Sequence, residues 1–191
     1  MEFLVTLTTF DTQGTAVEVD REGTRGYLQR LWHTPVGRAE ERVIGLFTAE
    51  DRRRLDKVLA CLPRRTRVAE VAELDPHPDD PARTGLTGRP GVGPEYLIAT
   101  TVTVPDDTPA DVIAGTVERE SERARAFAGR GNLVRLWSLT AGPDGPRAVG
   151  LWRARDPGEL MAILESLPLS GWMTIDTTPL SPHPDDPVRG L

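Results

Sequence analysis

Two arginines each stand two residues before a tryptophan, Arg30 before Trp32 and Arg135 before Trp137. On a strand that spacing puts guanidinium and indole on one face. A pocket lined by such a face would hold fixed cations able to polarise a carbonyl and large apolar walls able to pack an unsaturated guest. His33, between Trp32 and Pro35, could act as acid or base near neutral pH. Trp172 and Met173, just past Pro168, would add an adaptable apolar wall if their strand faces inward. The tetrad His-Pro-Asp-Asp occurs twice, from His77 and from His183, in letters that zinc sites also use. His33, His77 and His183 are the only histidines, too few to complete a usual zinc shell. Proline on both sides of each tetrad also argues against the helix that a zinc motif would open. No metal is expected, and the tetrads read as rigid extended tails that close over the neighbouring half. Cys61 is expected to be a small buried residue on an apolar helical face, and Lys57, the single lysine, stands in a charged run unsuited to Schiff-base chemistry.

The elements that must position these residues come in two copies. Leu31-Trp32 is followed 13 positions after the tryptophan by Gly45-Leu46-Phe47, and Leu62 stands 15 positions after Phe47. Leu136-Trp137, Gly150-Leu151-Trp152 and Leu167 repeat both separations, and the copies end on Leu74–Pro81 and Leu180–Pro187. A period of about a hundred residues matches a small domain rather than a solenoid repeat. Strands are expected at Phe3–Thr8, Tyr27–Thr34, Arg42–Thr48 and Arg67–Leu74, and again at Tyr96–Val104, Leu133–Thr140, Arg147–Arg153 and Trp172–Pro179. Leu55, Val58, Leu59 and Leu62 form one apolar helical stripe, matched by Leu160, Ile163, Leu164 and Leu167. Thr108-Pro109-Ala110-Asp111 starts a long helix over Ile113–Ala128. Its counterpart is short: Phe3 to Trp32 is 29 residues where Tyr96 to Trp137 is 41, which leaves Thr15–Gly23 as a short helix or a remodelled loop.

Each half therefore reads βαββαβ, the ferredoxin-like plait with its helices on one sheet face. The expected fold is α+β, with two ferredoxin-like repeats forming an intrachain pseudo-dimeric α+β barrel and a pocket at the pseudo-twofold seam. The expected divisions are residues 1–81, a Gly- and Pro-rich linker at 82–94, and residues 95–191. A net charge of −6 with both signs interspersed argues against nucleic acid. No apolar run is long enough to span a membrane, and the N-terminus lacks signal-peptide features, so a cytoplasmic address is expected.

The second half resembles the muconolactone delta-isomerase family. The resemblance rests on LVRLWSLTAG at Leu133–Gly142, ESLPLSGWMTIDTTPLSPHP at Glu165–Pro184 and the Pro109-Ala110-Asp111 helix start, and covers roughly Glu95–Pro187. The first half resembles the family only over Leu31–Pro81, as a degenerate copy. The resemblance implies ferredoxin-like subunits that pair into an α+β barrel and assemble further, possible homo-oligomers, and cofactor-free migration of a double bond within an unsaturated lactone. It also matches a helix glutamate of the family to Glu120. That reaction needs a base beside a carbonyl and a donor to the enolate oxygen, for which Glu120 and Arg135 are the candidates, with His33 as a further acid or base. Arg30, Trp32, Trp137, Trp172 and Met173 would hold the substrate. Polar residues that the family carries around the Leu-Trp pair are replaced here by Leu133, Val134 and Ser138, and its next strand by Pro143–Arg147 and Ala148-Val149. These departures point to a larger, mostly apolar substrate. The expected function is a cofactor-independent isomerase or cyclase acting on an unsaturated small metabolite in natural-product biosynthesis. The alternatives are a non-catalytic ligand-binding or accessory protein of the same fold, or a cofactor-free monooxygenase.

Overall fold

Among the described residues, alternating β-branched and aromatic residues build eight strands, and three apolar stripes with one short turn that opens on a proline build four α-helices. The computed structural model describes residues 1–9, 23–35, 41–63, 66–86 and 92–190. The strands are β1 (Glu2–Thr9), β2 (Leu28–Thr34), β3 (Glu41–Thr48), β4 (Thr66–Pro76), β5 (Glu95–Val102), β6 (Leu133–Gly142), β7 (Gly145–Arg153) and β8 (Met173–Pro182). The helices are α1 (Arg52–Leu59), α2 (Pro81–Thr84), α3 (Ala110–Arg130) and α4 (Pro157–Glu165). The segment expected at Thr15–Gly23 falls, apart from Gly23, outside the described residues.

The chain divides into two compact units, Met1–Leu74 with Leu180–Leu191, and Asp75–Pro179. Leu180–Leu191, the end of the expected second repeat, thus belongs to the first unit, and residues 75–81, the end of the expected first, to the second. In the first unit β1 lies antiparallel between β3 and β4, β2 pairs antiparallel with β3, and the end of β8 adds to β2 through Trp32 opposite Pro182. Helix α1 packs Leu55, Val58 and Leu59 onto Phe3, Val5, Leu7, Leu31 and Phe47. Its start is capped by the Asp51 side chain, which accepts from the Arg54 N–H.

In the second unit β7 lies antiparallel between β5 and β6, and the last residues of β4 pair with β6, Asp75 opposite Ser138. Helices α3 and α4 cover one sheet face, with Phe127, Leu160 and Leu164 packed against Tyr96, Ile98 and Trp152. Helix α3 ends at Gly131, whose φ of 79° places the left-handed closure that a side chain would resist. The Asn132 N–H then reaches the Phe127 carbonyl at 3.0 Å. Helix α4 opens on Asp156, which accepts from the Glu159 N–H at 2.9 Å, with proline in its first turn.

The glycines of the repeated Gly-Leu-aromatic triplets have a steric reason. A Cβ on Gly45 would run into the Phe47 ring, and one on Gly150 into the Trp152 indole, because each aromatic folds back over the residue two before it on the same sheet face.

The tetrads differ from the expected extended tails. Helix α2 follows the first and a 3₁₀ turn at Pro187–Gly190 follows the second. Proline does not forbid these turns because it occupies the first helical position, where its fixed φ is suitable and no N–H is required. Asp80 caps α2 by accepting from the Ala82 N–H at 3.4 Å. Ala82–Thr84, expected as linker, are therefore the end of α2.

Candidate functional site

The second unit encloses a cavity of about 450 Å³ between its sheet and helices α3 and α4. Strand alternation supplies the floor: Ile98, Thr100 and Val102 from β5, Ala148, Gly150 and Trp152 from β7, and Leu136 and Ser138 from β6. The roof is the inward stripe of α3, Ile113, Val117, Glu120, Ser121 and Ala124, joined by Leu164 and Leu167. Leu169, Trp172 and Met173 close one side, and His77 and Asp79 enter from the loop after β4. A concave, chiefly apolar chamber with a few convergent polar groups is the usual form of a small-molecule site.

Glu120 is the carboxyl that α3 turns into this chamber. Its Oε2 accepts from the Leu169 N–H at 2.9 Å, and among the described residues Oε1 takes no hydrogen bond. Burial raises its pKa above the ordinary 4.5; the Leu169 hydrogen bond opposes that shift, and the nearby Asp79 charge adds to it. Asp79 is itself buried and is held by Arg125, whose Nη2 lies 2.9 Å from Oδ1. His77 accepts the Asp79 backbone N–H at Nδ1, at 3.1 Å. Burial lowers the pKa of His77 below 6.5, against the opposing pull of Asp79 and Asp80.

The loop bearing His77 and Asp79 is stitched to β6. The His77 N–H donates to the Leu136 carbonyl at 3.2 Å, and the Leu136 N–H donates to Asp80 Oδ1 at 3.0 Å. Asp80 is almost fully buried and also receives Arg135 Nη2 at 3.1 Å, while the Arg135 guanidinium lies 4.6 Å over the Trp137 ring. The first unit repeats this arrangement. The Leu31 N–H donates to Asp186 at 3.1 Å, Arg30 Nε meets Asp186 Oδ2 at 3.2 Å, and Arg30 lies 4.6 Å over Trp32.

Of the residues singled out in the sequence, Glu120, Trp172 and Met173 come together on the cavity wall. Leu136 and Ser138 line the cavity, so alternation turns the flanking Arg135 and buried Trp137 to the other sheet face. Arg30, Trp32 and His33 belong to the first unit, where the His33 ring stacks 4.4 Å from that of His183. His77 and Asp79 also reach the cavity wall, and their signal in the sequence is the doubled run of polar residues between prolines. Among the described residues no cluster of three or more His, Cys, Asp or Glu could hold a metal ion, and no helix is long and apolar enough to cross a membrane.

A helix-covered antiparallel sheet with a chiefly apolar cavity beneath the helices makes the second unit an α+β structure. Residues 95–186 match the family muconolactone delta-isomerase. Muconolactone Delta-isomerase 1 of Acinetobacter lwoffii is 33% identical over 84 residues, covering 44% of this chain and 83% of that protein. The chain belongs to the muconolactone delta-isomerase family. In fold it is similar to a chlorite dismutase from Candidatus Nitrospira defluvii, with a TM-score of 0.59 and 12% identity over 95% of this chain and 91% of that one. It is also similar to a heme-binding protein from Thermus thermophilus, with a TM-score of 0.53 and 12% identity over 94% and 90% of the two chains. Among the described residues the one imidazole on the cavity wall, His77, accepts a hydrogen bond at Nδ1, so its neutral ring carries the proton on Nε2 and offers neither nitrogen to a heme iron.

Proposed function

We propose that this protein is a cofactor-independent isomerase or cyclase for an unsaturated, mostly apolar small molecule, acting by proton transfer at Glu120, and that it serves natural-product biosynthesis. The observation that carries the reading is the Glu120 carboxyl, its pKa raised by burial, on the wall of a chiefly apolar chamber. Such a group keeps enough basicity in its ionised form to take a proton beside a carbonyl, and enough acidity in its neutral form to return it to another carbon. Leu169 anchors one oxygen and fixes the direction of the other. Ile98, Val117, Trp152 and Met173 would hold a polyene, lactone or β-keto chain in one conformation, which lowers the entropic part of the barrier.

The test joins two measurements. Disruption of the coding region, followed by mass spectrometry of accumulated metabolites, is expected to show an isomeric or uncyclised precursor. Purified wild-type protein should convert that precursor, and Glu120→Gln should slow the conversion by about a hundredfold or more while preserving the fold. Full activity in Glu120→Gln removes the acid–base assignment. Tight binding of the precursor without conversion by the wild type marks a binding protein instead.

A further inference from the structure

Removing a proton beside a carbonyl leaves negative charge on the oxygen, and that charge needs a donor within the chamber. Arg135 faces the opposite side of β6 and is engaged by Asp80, so it is not placed to serve. His77 is on the cavity wall, partly exposed. Its Nδ1 accepts the Asp79 N–H, which directs the ring proton to Nε2. The segment cannot easily turn away, because the His77 N–H and the Asp80 carboxylate both bind Leu136, itself a cavity residue.

We propose that His77 is a second catalytic residue of this chamber, a neutral imidazole whose Nε2–H donates to the substrate carbonyl oxygen while Glu120 moves the proton between carbons; this rests on the reading of Glu120 given above. In the first step the C–H bond beside the carbonyl breaks, its proton goes to the free oxygen of Glu120, and its electron pair spreads over the carbons and oxygen as an enolate. The His77 N–H holds the developing oxyanion without giving up its proton. In the second step the Glu120 proton is delivered to the distal carbon and the pair re-forms the carbonyl. The product is an isomer of the substrate, and no oxidant or reductant takes part. Burial favours the neutral form of the imidazole, which suits this role: a charged ring would bind the enolate but would also lower the pKa of Glu120 and weaken it as a base. Arg135 and Asp80 then act as positioning residues for the loop.

The experiment uses the full chain and substituted phenols as enolate mimics, followed by titration calorimetry at a pH where the phenol is ionised. Wild-type protein is expected to bind the phenolate at least about tenfold more tightly than His77→Phe does, with His77→Asn, which keeps an N–H donor, in between. Glu120→Gln should bind the phenolate no more weakly than the wild type, because it removes a competing negative charge. Equal affinity in the wild type and His77→Phe, including no binding by either, overturns the proposal. Nitrogen-15 NMR of the unaltered protein gives an answer independent of whether the variants fold: a ring proton on Nε2 is expected, and one on Nδ1 overturns the assignment. Turnover of the accumulated precursor by Glu120→Gln tests the carboxylate alone, so the two residues can fail separately.

Discussion

Glu120 and His77 are displaced in opposite directions by the same cause. Burial disfavours charge, which raises the carboxyl and lowers the imidazole. The consequences for stability follow from proton linkage. The folded chain holds the Glu120 proton at pH values where the unfolded chain has released it. The stability from this group is therefore complete below 4.5 and is lost as pH rises through the folded value. Glu120→Gln should flatten that decline in urea unfolding followed between about pH 4 and 8. An unchanged slope would show that the carboxyl is solvated. For His77, stability is present above 6.5 and is lost as pH falls through the lowered folded value, since the buried ring resists protonation. His77→Asn should remove that acid-side loss.

At the scale of elements, the glycine of the Gly-Leu-Trp triplet and the tetrad stitch shape the chamber. Gly150→Ala pushes its methyl group into the Trp152 indole, which packs edge-on to Phe127 with ring centroids 6.0 Å apart. The cost should be about 1–3 kcal/mol in unfolding free energy, with a smaller cavity seen by ligand binding. Asp80→Ala leaves the Leu136 N–H without its carboxylate and takes from Arg135 a buried charge partner. A loss of roughly 3 kcal/mol is expected by denaturant titration, with a larger loss of turnover than of α-helical signal, because the loop that carries His77 is released. Most of these elements can be read directly from the sequence. The stripe Leu160, Ile163, Leu164 and Leu167 and the Pro109-Ala110-Asp111 start place α4 and α3, since apolar period and helix-start residues depend on near neighbours in the chain. The short helical turn after each tetrad escapes such a reading when proline is weighed as a breaker rather than as a first-turn residue.

At the scale of the whole molecule, the order of the chain and the order of its packing differ. Leu180–Leu191 belongs to the first unit, where His183 donates its N–H to the Leu31 carbonyl at 3.0 Å and Asp186 receives both Arg30 and the Leu31 N–H. Truncation after Pro179 should therefore loosen β2 and β3, more than 100 residues away in sequence. Hydrogen exchange read by mass spectrometry should show lost protection over Leu28–Thr34 and Glu41–Thr48 and little change in α3. Equal loss throughout, or none, would contradict this division.

The sequence by itself determined the strands, the two apolar helix stripes, the family and Glu120 as a candidate acid or base, because these depend on spacing along the chain and on a motif of matching residues. Only the tertiary structure decided the partner of Arg135, which is Asp80 at a distance of 55 positions. It also decided that the tetrad brings His77 and Asp79 to the cavity with Glu120. A buried carboxylate and its half-buried cation find each other only when the chain closes, since desolvation makes the carboxylate costly unpaired and nothing in the local pattern names the partner.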